Sequence, residues 1–415
     1  MSVKNQKILL HNRGDYSFLA EKFAEDAAKV WSYTPILGRQ PKSLDDQIDS
    51  GLEGVESIDD FDKYVDKADL IVFPGEFEGE LCNKLRKEGH RVFGSGLCAD
   101  IEINKILFLD TLKKVGLPVI KTYLAEGLDD AFEYLKDKED KYIKGVYNRG
   151  DFDTQHFQTM ETFMPWFTYQ RNKLGFGASD TIELLIQDSF PAVVESGWDG
   201  YVIGGKMGKR GTIGFEDKDK SYIYKVVDKC PKILDDINQK MSIEFKERGY
   251  YGAYSTEVRI NEKGEDRFTD LTARFGSPPG EGICETYTTF TQDVFDVADG
   301  KEPQMECEEE YGAMIVLVSS WNEKEEICVQ FPKEIKGNVK LRHSYKHKGE
   351  YYCLPNDSSG YFGSVVSKGK TLKEAIEKVN EYAEQIICLD LEYTPISLEK
   401  SEEMVNNGKK FGIVM

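Results

Sequence analysis

The 415-residue sequence contains no run of about 20 apolar residues, which argues against an α-helical membrane span. Near its start only Ile8 to Leu10 form an apolar run. That is too short for the apolar core of a signal peptide and fits a first buried strand. Paired cysteines are also missing. The eight cysteines are scattered, none forms a C-x-x-C pair, and the five histidines do not cluster with them. Neither zinc-site spacing nor a disulfide framework is therefore expected, and such thiols fit a reducing compartment, the cytoplasm. Positive charge is scarce: Lys and Arg number 54 against 74 Asp and Glu, a net charge of −20. An acidic surface repels phosphate backbones, so broad nucleic-acid binding is not expected. No Ser-His-Asp or Cys-His arrangement, internal repeat or low-complexity segment is visible.

What is present is an ordinary globular composition, 40% hydrophobic and 31% charged, in a chain long enough for roughly two to four domains. The first hundred residues alternate between strand-like and helix-like runs. Lys7 to Leu10, Ala68 to Phe73 and His90 to Gly94 have strand character, while Asp15 to Trp31 and Glu80 to Gly89 have helical spacing. Such alternation predicts a parallel α/β layer, whose sites lie beyond the carboxyl ends of the strands. His11 to Asp15 and Pro74 to Glu76 are then candidate substrate-facing loops, although ordinary strand-to-helix turns account for each equally well. A helix over 101–115 is closed by Gly116-Leu117-Pro118. Short strands follow at Tyr142 to Val146, Ile182 to Gln187, Gly200 to Gly204, Gly252 to Ile260 and Arg267 to Leu271. Polar residues around Gly300 to Pro303 and the acidic run Glu306 to Glu310 mark a boundary. Beyond it lie further strands and a helix over Thr371 to Cys388 that opens on a T-x-x-E capping pattern, Thr371 and Glu374.

The most informative stretch runs from Tyr251 to Gly276. Asn261-Glu262-Lys263-Gly264 is a polar turn ending in glycine, so the runs on either side form a hairpin. Each strand carries an acid near its middle, Glu257 and Asp270, and an antiparallel pair can set them side by side. Two buried carboxylates so placed repel unless a cation lies between them, and hard oxygen ligands suit Mg²⁺ together with nucleotide phosphates. Arg274 follows on the same strand, where it could stabilise phosphate charge. An ordinary hairpin with exposed acids would show the same local pattern.

The hairpin resembles the metal-binding hairpin of ATP-grasp ligases, in which an acid and a turn precede E-x-N-x-R-x-G. Here the second part is Asp270-Leu-Thr272-Ala-Arg274-Phe-Gly276. Among those ligases the phosphoribosylamine–glycine ligases (glycinamide ribonucleotide synthetases) are the most similar. Ala68 to Glu76, Phe93-Gly-Ser95, Asn104-Lys105 and Gly116-Leu-Pro118 recur in their order, and Gly369 to Ile376 resembles their last-domain helix start, a phrase shared by several ATP-grasp ligases of purine synthesis. The resemblance implies that Glu257, Asp270 and Thr272 form the metal site, with Asp replacing Glu at 270 and Thr replacing Asn at 272, which weakens or removes one ligand. It implies that Lys105 and Lys144, the latter in Tyr142-Ile-Lys144-Gly145, reach the ATP phosphates, and that Gly145 to Asp151, including Arg149, covers them. Gln187 and Asp188 would lie on the adenine-binding hinge strand, and Glu195 would bind ribose. Lys206, Lys209 and Arg210 form a basic cluster nearby.

The fold expected from this resemblance is multidomain, α/β and α+β. It comprises an N-terminal parallel α/β (pre-ATP-grasp) domain over 1–100, a central two-lobed ATP-grasp fold over 101–305 with its lid lobe at about 118–190, and a small C-terminal α+β domain over 306–415. The expected activity is an ATP-dependent carboxylate–amine ligase working through an acylphosphate, with Arg274 and Lys144 as catalytic residues. ATP and Mg²⁺ (or Mn²⁺) are the expected cofactors, and a small-molecule carboxylate and an amine the expected substrates. The G-x-G-G-R-E-H loop that holds phosphoribosylamine in the resembled ligases is replaced by His11-Asn12-Arg13-Gly14-Asp15-Tyr16, so a different acceptor is expected. A catalytically impaired ATP-binding regulator and an ATP-grasp kinase are the alternatives.

Overall fold

The computed structural model describes residues 3–35, 48–147, 154–175, 177–217, 220–277, 279–355, 360–395 and 398–415. The apolar run near the start forms β1 (Lys7–His11), with Ile8, Leu9 and Leu10 fully buried. Beside it lie β2 (Lys29–Tyr33), β3 (Val55–Ile58), β4 (Leu70–Val72) and β5 (Val92–Phe93), in the order β3-β2-β1-β4-β5 with parallel pairing throughout. The order reverses between β1 and β4, so the loops after His11 and Val72 flank the crevice where such sheets take ligands. The helix expected over Asp15 to Trp31 is shorter, Ser17–Asp26. Val30 and Trp31, which fit its spacing, instead lie in β2 opposite Ile8 and Leu9, where a β-branched and an aromatic side chain pack well.

The single helix expected over 101–115 is two helices, Ala99–Ile103 and Lys105–Lys114. Asn104 separates them with an extended backbone, and its side-chain oxygen accepts the N–H groups of Ile106 and Leu107, both at 3.0 Å. An asparagine that satisfies the first free donors of a helix starts a new one rather than continuing the last. The second helix stops at Gly116, whose φ of +72° only glycine adopts readily, while Leu117 N–H reaches back to Leu112 O at 2.8 Å.

A small antiparallel sheet follows, built from β6 (Thr122–Glu126), β7 (Lys141–Gly145), β8 (Gln155–Phe157) and β9 (Glu183–Asp188), in the order β6-β9-β7-β8. The large sheet contains β10 (Val194–Ile203), β11 (Lys206–Met207), β12 (Gly211–Asp217), β13 (Ser221–Val227), β14 (Tyr251–Ile260) and β15 (Asp266–Thr272). Past the boundary expected near 305, β16 (Tyr311–Ser319) pairs with β13, and the sheet runs on through β21 (Tyr361–Gly369) to β18 (Val339–Leu341). The strands β17 (Ile327–Val329), β19 (Ser344–His347) and β20 (Glu350–Cys353) make a separate three-stranded sheet, and β22 (Leu391–Glu392) pairs with β16. The T-x-x-E signature caps the helix Leu372–Ala383: Thr371 Oγ1 accepts Glu374 N–H at 3.2 Å, and Glu374 returns to Lys370 N–H at 3.0 Å. No helix among the described residues is long and apolar enough to cross a membrane.

Four adjacent strands of the large sheet converge on one buried carboxyl. Asp199 on β10, 1% exposed, accepts hydrogen bonds from Thr212 on β12 (3.3 Å), Tyr222 on β13 and Ser255 on β14. Burial pushes its pKa up to about 6 from 3.8, and the three hydroxyls only partly offset that. A folded-state pKa above the unfolded one means that the protonated form favours folding. Its contribution is full below about pH 4 and is lost as pH rises through 6, on the order of 3 kcal/mol. Urea unfolding of Asp199→Asn and the parent protein across pH 4–7 should therefore show the variant gaining relative stability with rising pH. A difference that stays flat over that window would contradict the buried, hydroxyl-ringed carboxyl.

Candidate functional site

The Tyr251–Gly276 stretch folds as the hairpin β14–β15, closed by Asn261–Gly264 with Gly264 at φ +79° and Gly264 N–H bonded to Asn261 O at 2.9 Å. The register sets Glu257 opposite Asp270 and Ser255 opposite Thr272, with a bulge between Glu257 and Val258. Thr269 Oγ1 donates to Glu257 Oε1 at 2.7 Å. Arg259 Nε lies 3.6 Å from the same oxygen and 3.0 Å from Glu195 Oε2, because Glu195 on β10 is the ladder partner of Arg259. Burial first, then the nearby carboxylates of Glu195 and Asp270, push the Glu257 carboxyl above its ordinary value against the pull of Arg259.

Two clefts meet at this hairpin. The first, ≈ 460 Å³, is lined by Glu102, Lys105, Lys144, Gln187, Phe268 and Asp270 among others. The second, ≈ 530 Å³, is lined by Glu195, Asp199, Glu257, Asp270, Thr272 and Ser277 among others. Asp270 belongs to both walls. Lys105 opens its helix, and its backbone N–H bonds Val146 O just past the end of β7 at 3.0 Å. That contact brings it beside Lys144. Burial holds the Lys144 ammonium below the usual lysine value; Asp270 opposes this and Lys105 adds to it. An anion placed between the two lysines would relieve the strain.

The strand β9, expected to be the adenine-binding hinge, carries Gln187 between Thr122 and Tyr142, and its side-chain amide donates to Thr122 Oγ1 at 3.1 Å. Asp188 pairs with Lys141 at 3.0 Å and does not line the first cleft. Glu195 stands with the acids of the second cleft rather than beside the hinge strand. Arg274, 9% exposed, lines neither cleft. Its Nε lies 2.9 Å from Glu102 and 3.3 Å from Glu76, so two carboxylates already match its charge and hold its pKa well above the usual value despite burial. The segment around Arg149, expected to cover the phosphates, lies outside the described residues. Of the basic cluster, Arg210 pairs with Asp228 at 3.2 Å, and Lys209 N–H bonds Glu302 at 2.6 Å. Neither residue lines either of these two clefts.

The candidate loops of the first sheet approach the same region. Arg13 Nε lies 3.4 Å from Glu78, and buried His11 lies 3.8 Å from it. Burial, then Arg13, lowers the His11 pKa to about 4. Asp15 bonds His343 at 3.1 Å, and Tyr16 OH reaches Phe275 O at 3.4 Å. Sequence reasoning passed over Glu102 and Asp199. For Glu102 a signal existed, an acid set between Ile101 and Ile103, three residues before Lys105.

Among the described residues no group of three or more His, Cys, Asp or Glu side chains gathers for a metal. Glu257, Asp270 and Thr272, the residues expected to hold a metal, all line the second cleft, and the first two form a carboxylate pair across the hairpin. Such a pair fits Mg²⁺, which commonly takes one or two carboxylates and completes its shell with phosphate oxygens and water, rather than an ion needing an all-protein cage.

No protein-family model and no curated protein matches the sequence. Solved structures do match. A phosphoribosylamine–glycine ligase from Thermotoga maritima superposes with TM-score 0.70 at 17% identity, covering 93% of this chain and 98% of its own. An N5-carboxyaminoimidazole ribonucleotide synthetase from the same organism gives 0.61 at 14%, covering 93% and 99%. The biotin carboxylase domain of the Hydrogenobacter thermophilus 2-oxoglutarate carboxylase, solved with MgADP, ADP and bicarbonate, gives 0.65 at 14%, covering 94% and 92%. All three are ATP-grasp enzymes, and at these identities the likeness is one of architecture: this chain has the ATP-grasp fold.

Proposed function

We propose that the chain is an ATP-dependent carboxylate–amine ligase working through an acylphosphate. The observation that carries this reading is the placing of Asp270 in the wall between the two clefts, with Lys105 and Lys144 on one side and Glu257 on the other. A nucleotide in the first cleft and a carboxylate substrate in the second would then meet at the metal pair. The carboxylase domain solved with MgADP supports a magnesium nucleotide as the ligand of this fold. When bound by Glu257 and Asp270, Mg²⁺ (or Mn²⁺) supplies charge neutralisation of the phosphates. Lys105 and Lys144 hold the phosphate chain and stabilise its charge, and the hairpin orients it toward the second cleft.

In the first step a carboxylate oxygen bonds to the γ-phosphorus, and the bond from that phosphorus to the bridging oxygen breaks, releasing ADP. In the second, an amine nitrogen bonds to the acyl carbon, loses a proton and displaces inorganic phosphate. The acceptor differs from phosphoribosylamine, because the run His11-Asn12-Arg13-Gly14-Asp15-Tyr16 stands where the resembled ligases have their glycine-rich loop, and in it Arg13 and Asp15 are engaged by Glu78 and His343. The second reading, an ATP-binding regulator, draws on Arg274, whose charge is already matched by Glu102 and Glu76, and on Thr272. A kinase would share the first step alone, with a stable phosphorylated product.

Mg²⁺-dependent release of ADP and phosphate, measured against a panel of carboxylates and amines, separates the three. A ligase needs one particular acid and one particular amine, and Asp270→Asn should lower its turnover by roughly 100-fold or more. ADP with a phosphorylated product marks the kinase, and ADP binding without turnover marks the regulator. Lys144→Met should weaken ADP binding at least ~10-fold in a calorimetric titration, since it removes one charged partner of the phosphates. An unchanged affinity would place the nucleotide elsewhere.

A further inference from the structure

Glu102 sits in the last turn of the helix Ala99–Ile103, with a side chain only 1% exposed. A carboxylate so deeply buried persists only where donors surround it. Both of its oxygens are engaged at the end of the metal strand: Oε2 accepts the backbone N–H of Ala273 at 2.7 Å, and Oε1 accepts Arg274 Nε at 2.9 Å. Ala273 follows Thr272, the last residue of β15, and lies three residues past Asp270. On the other side of Glu102 the chain passes through Asn104, whose capping bonds fix where the next helix begins, and reaches Lys105 as the first residue of that helix. Lys105 and Asp270 line the same cleft. Residues 102–105 thus form a short strut between a phosphate-facing lysine and a metal-facing acid. Its far end is pinned by a main-chain hydrogen bond, which a change of rotamer elsewhere cannot replace. Glu76, from the loop after β4, grips the same guanidinium at 3.3 Å and ties the strut to the first sheet.

We infer that Glu102 is a positioning residue that sets the separation between Lys105 and the Glu257–Asp270 pair, so that a metal-bridged diphosphate spans both. The inference rests on the nucleotide reading given under the proposed function. It predicts a selective effect. A diphosphate without metal needs only the lysines, which keep their own helix and strand. One bridged by Mg²⁺ needs Asp270 in register with them, and losing Glu102 frees the end of β15. Partners of this outer-shell kind typically contribute 10–100-fold to metal affinity.

The test is calorimetric titration of ADP into the full chain with and without Mg²⁺, for the parent and for Glu102→Gln. The amide can accept one of the two hydrogen bonds but cannot accept both. The expected result is a roughly 10–100-fold loss of MgADP affinity with metal-free ADP affinity within about twofold of the parent, together with faster amide hydrogen exchange at Ala273. Equal losses with and without metal would reduce Glu102 to a purely structural role, and unchanged MgADP affinity would overturn the inference outright. If the parent chain binds no ADP under either condition, the nucleotide reading itself fails, and that outcome is distinct. Should Glu102→Gln not fold, Glu102→Asp retains the charge one methylene short of its partners and should show the same metal-selective loss, smaller in size. A loss shared equally between the two conditions would overturn the inference there too.

Discussion

Two carboxylates facing each other across a hairpin, in a half-buried setting, cannot both stay ionised at ease unless positive charge lies close by. In this protein the constraint is severe, because β10 adds a second neighbouring acid, Glu195, to the field of Glu257. The chain answers with Arg259, lodged between Glu195 and Glu257, and with the Thr269 hydroxyl on Glu257. Asp270 has Lys144 within its field instead. Much of the architecture can be understood as bringing these groups to one place from distant parts of the sequence. The small sheet delivers Lys144, the break at Asn104 delivers Lys105, and the long strand β10 delivers Glu195 and, further along, Asp199.

Arg274 shows how strongly such a setting redistributes roles. Read along the strand, it is a spare cation two residues beyond Thr272. In the folded chain it is enclosed by acids from two other segments, and its guanidinium is spent on holding Glu76 and Glu102. A buried arginine with two carboxylates is chiefly a clasp between elements, because removing any one member leaves the others with unmatched charge at considerable cost.

This also marks where the sequence stops being informative. The hairpin was legible because turn chemistry and strand patterning are local: Asn261 to Gly264 announce the turn, and counting outward from it brings Glu257 to within one position of Asp270, which the bulge before Val258 then makes its direct partner. The first strand and the parallel layer were legible for similar reasons. Val30 and Trp31 misled because their spacing satisfies a helix as well as a strand, and only pairing with β1 decides the matter. The split at Asn104 was hidden because an asparagine within apolar helical spacing looks like a tolerated interior residue until its side chain is seen capping. Asp199 and the ion pair of Glu195 with Arg259 depend on contacts between residues far apart in the chain, and no local pattern encodes them.

The wall that Asp270 forms between the two clefts has a thermodynamic corollary. A single carboxylate feels charge from both sides, so a ligand that neutralises it from one cleft alters the field met by a ligand in the other. Two occupants of these clefts would therefore not bind independently. By reciprocity, whatever factor the first applies to the affinity of the second, the second applies to the first. Any coupling between two such occupants would run through one shared side chain.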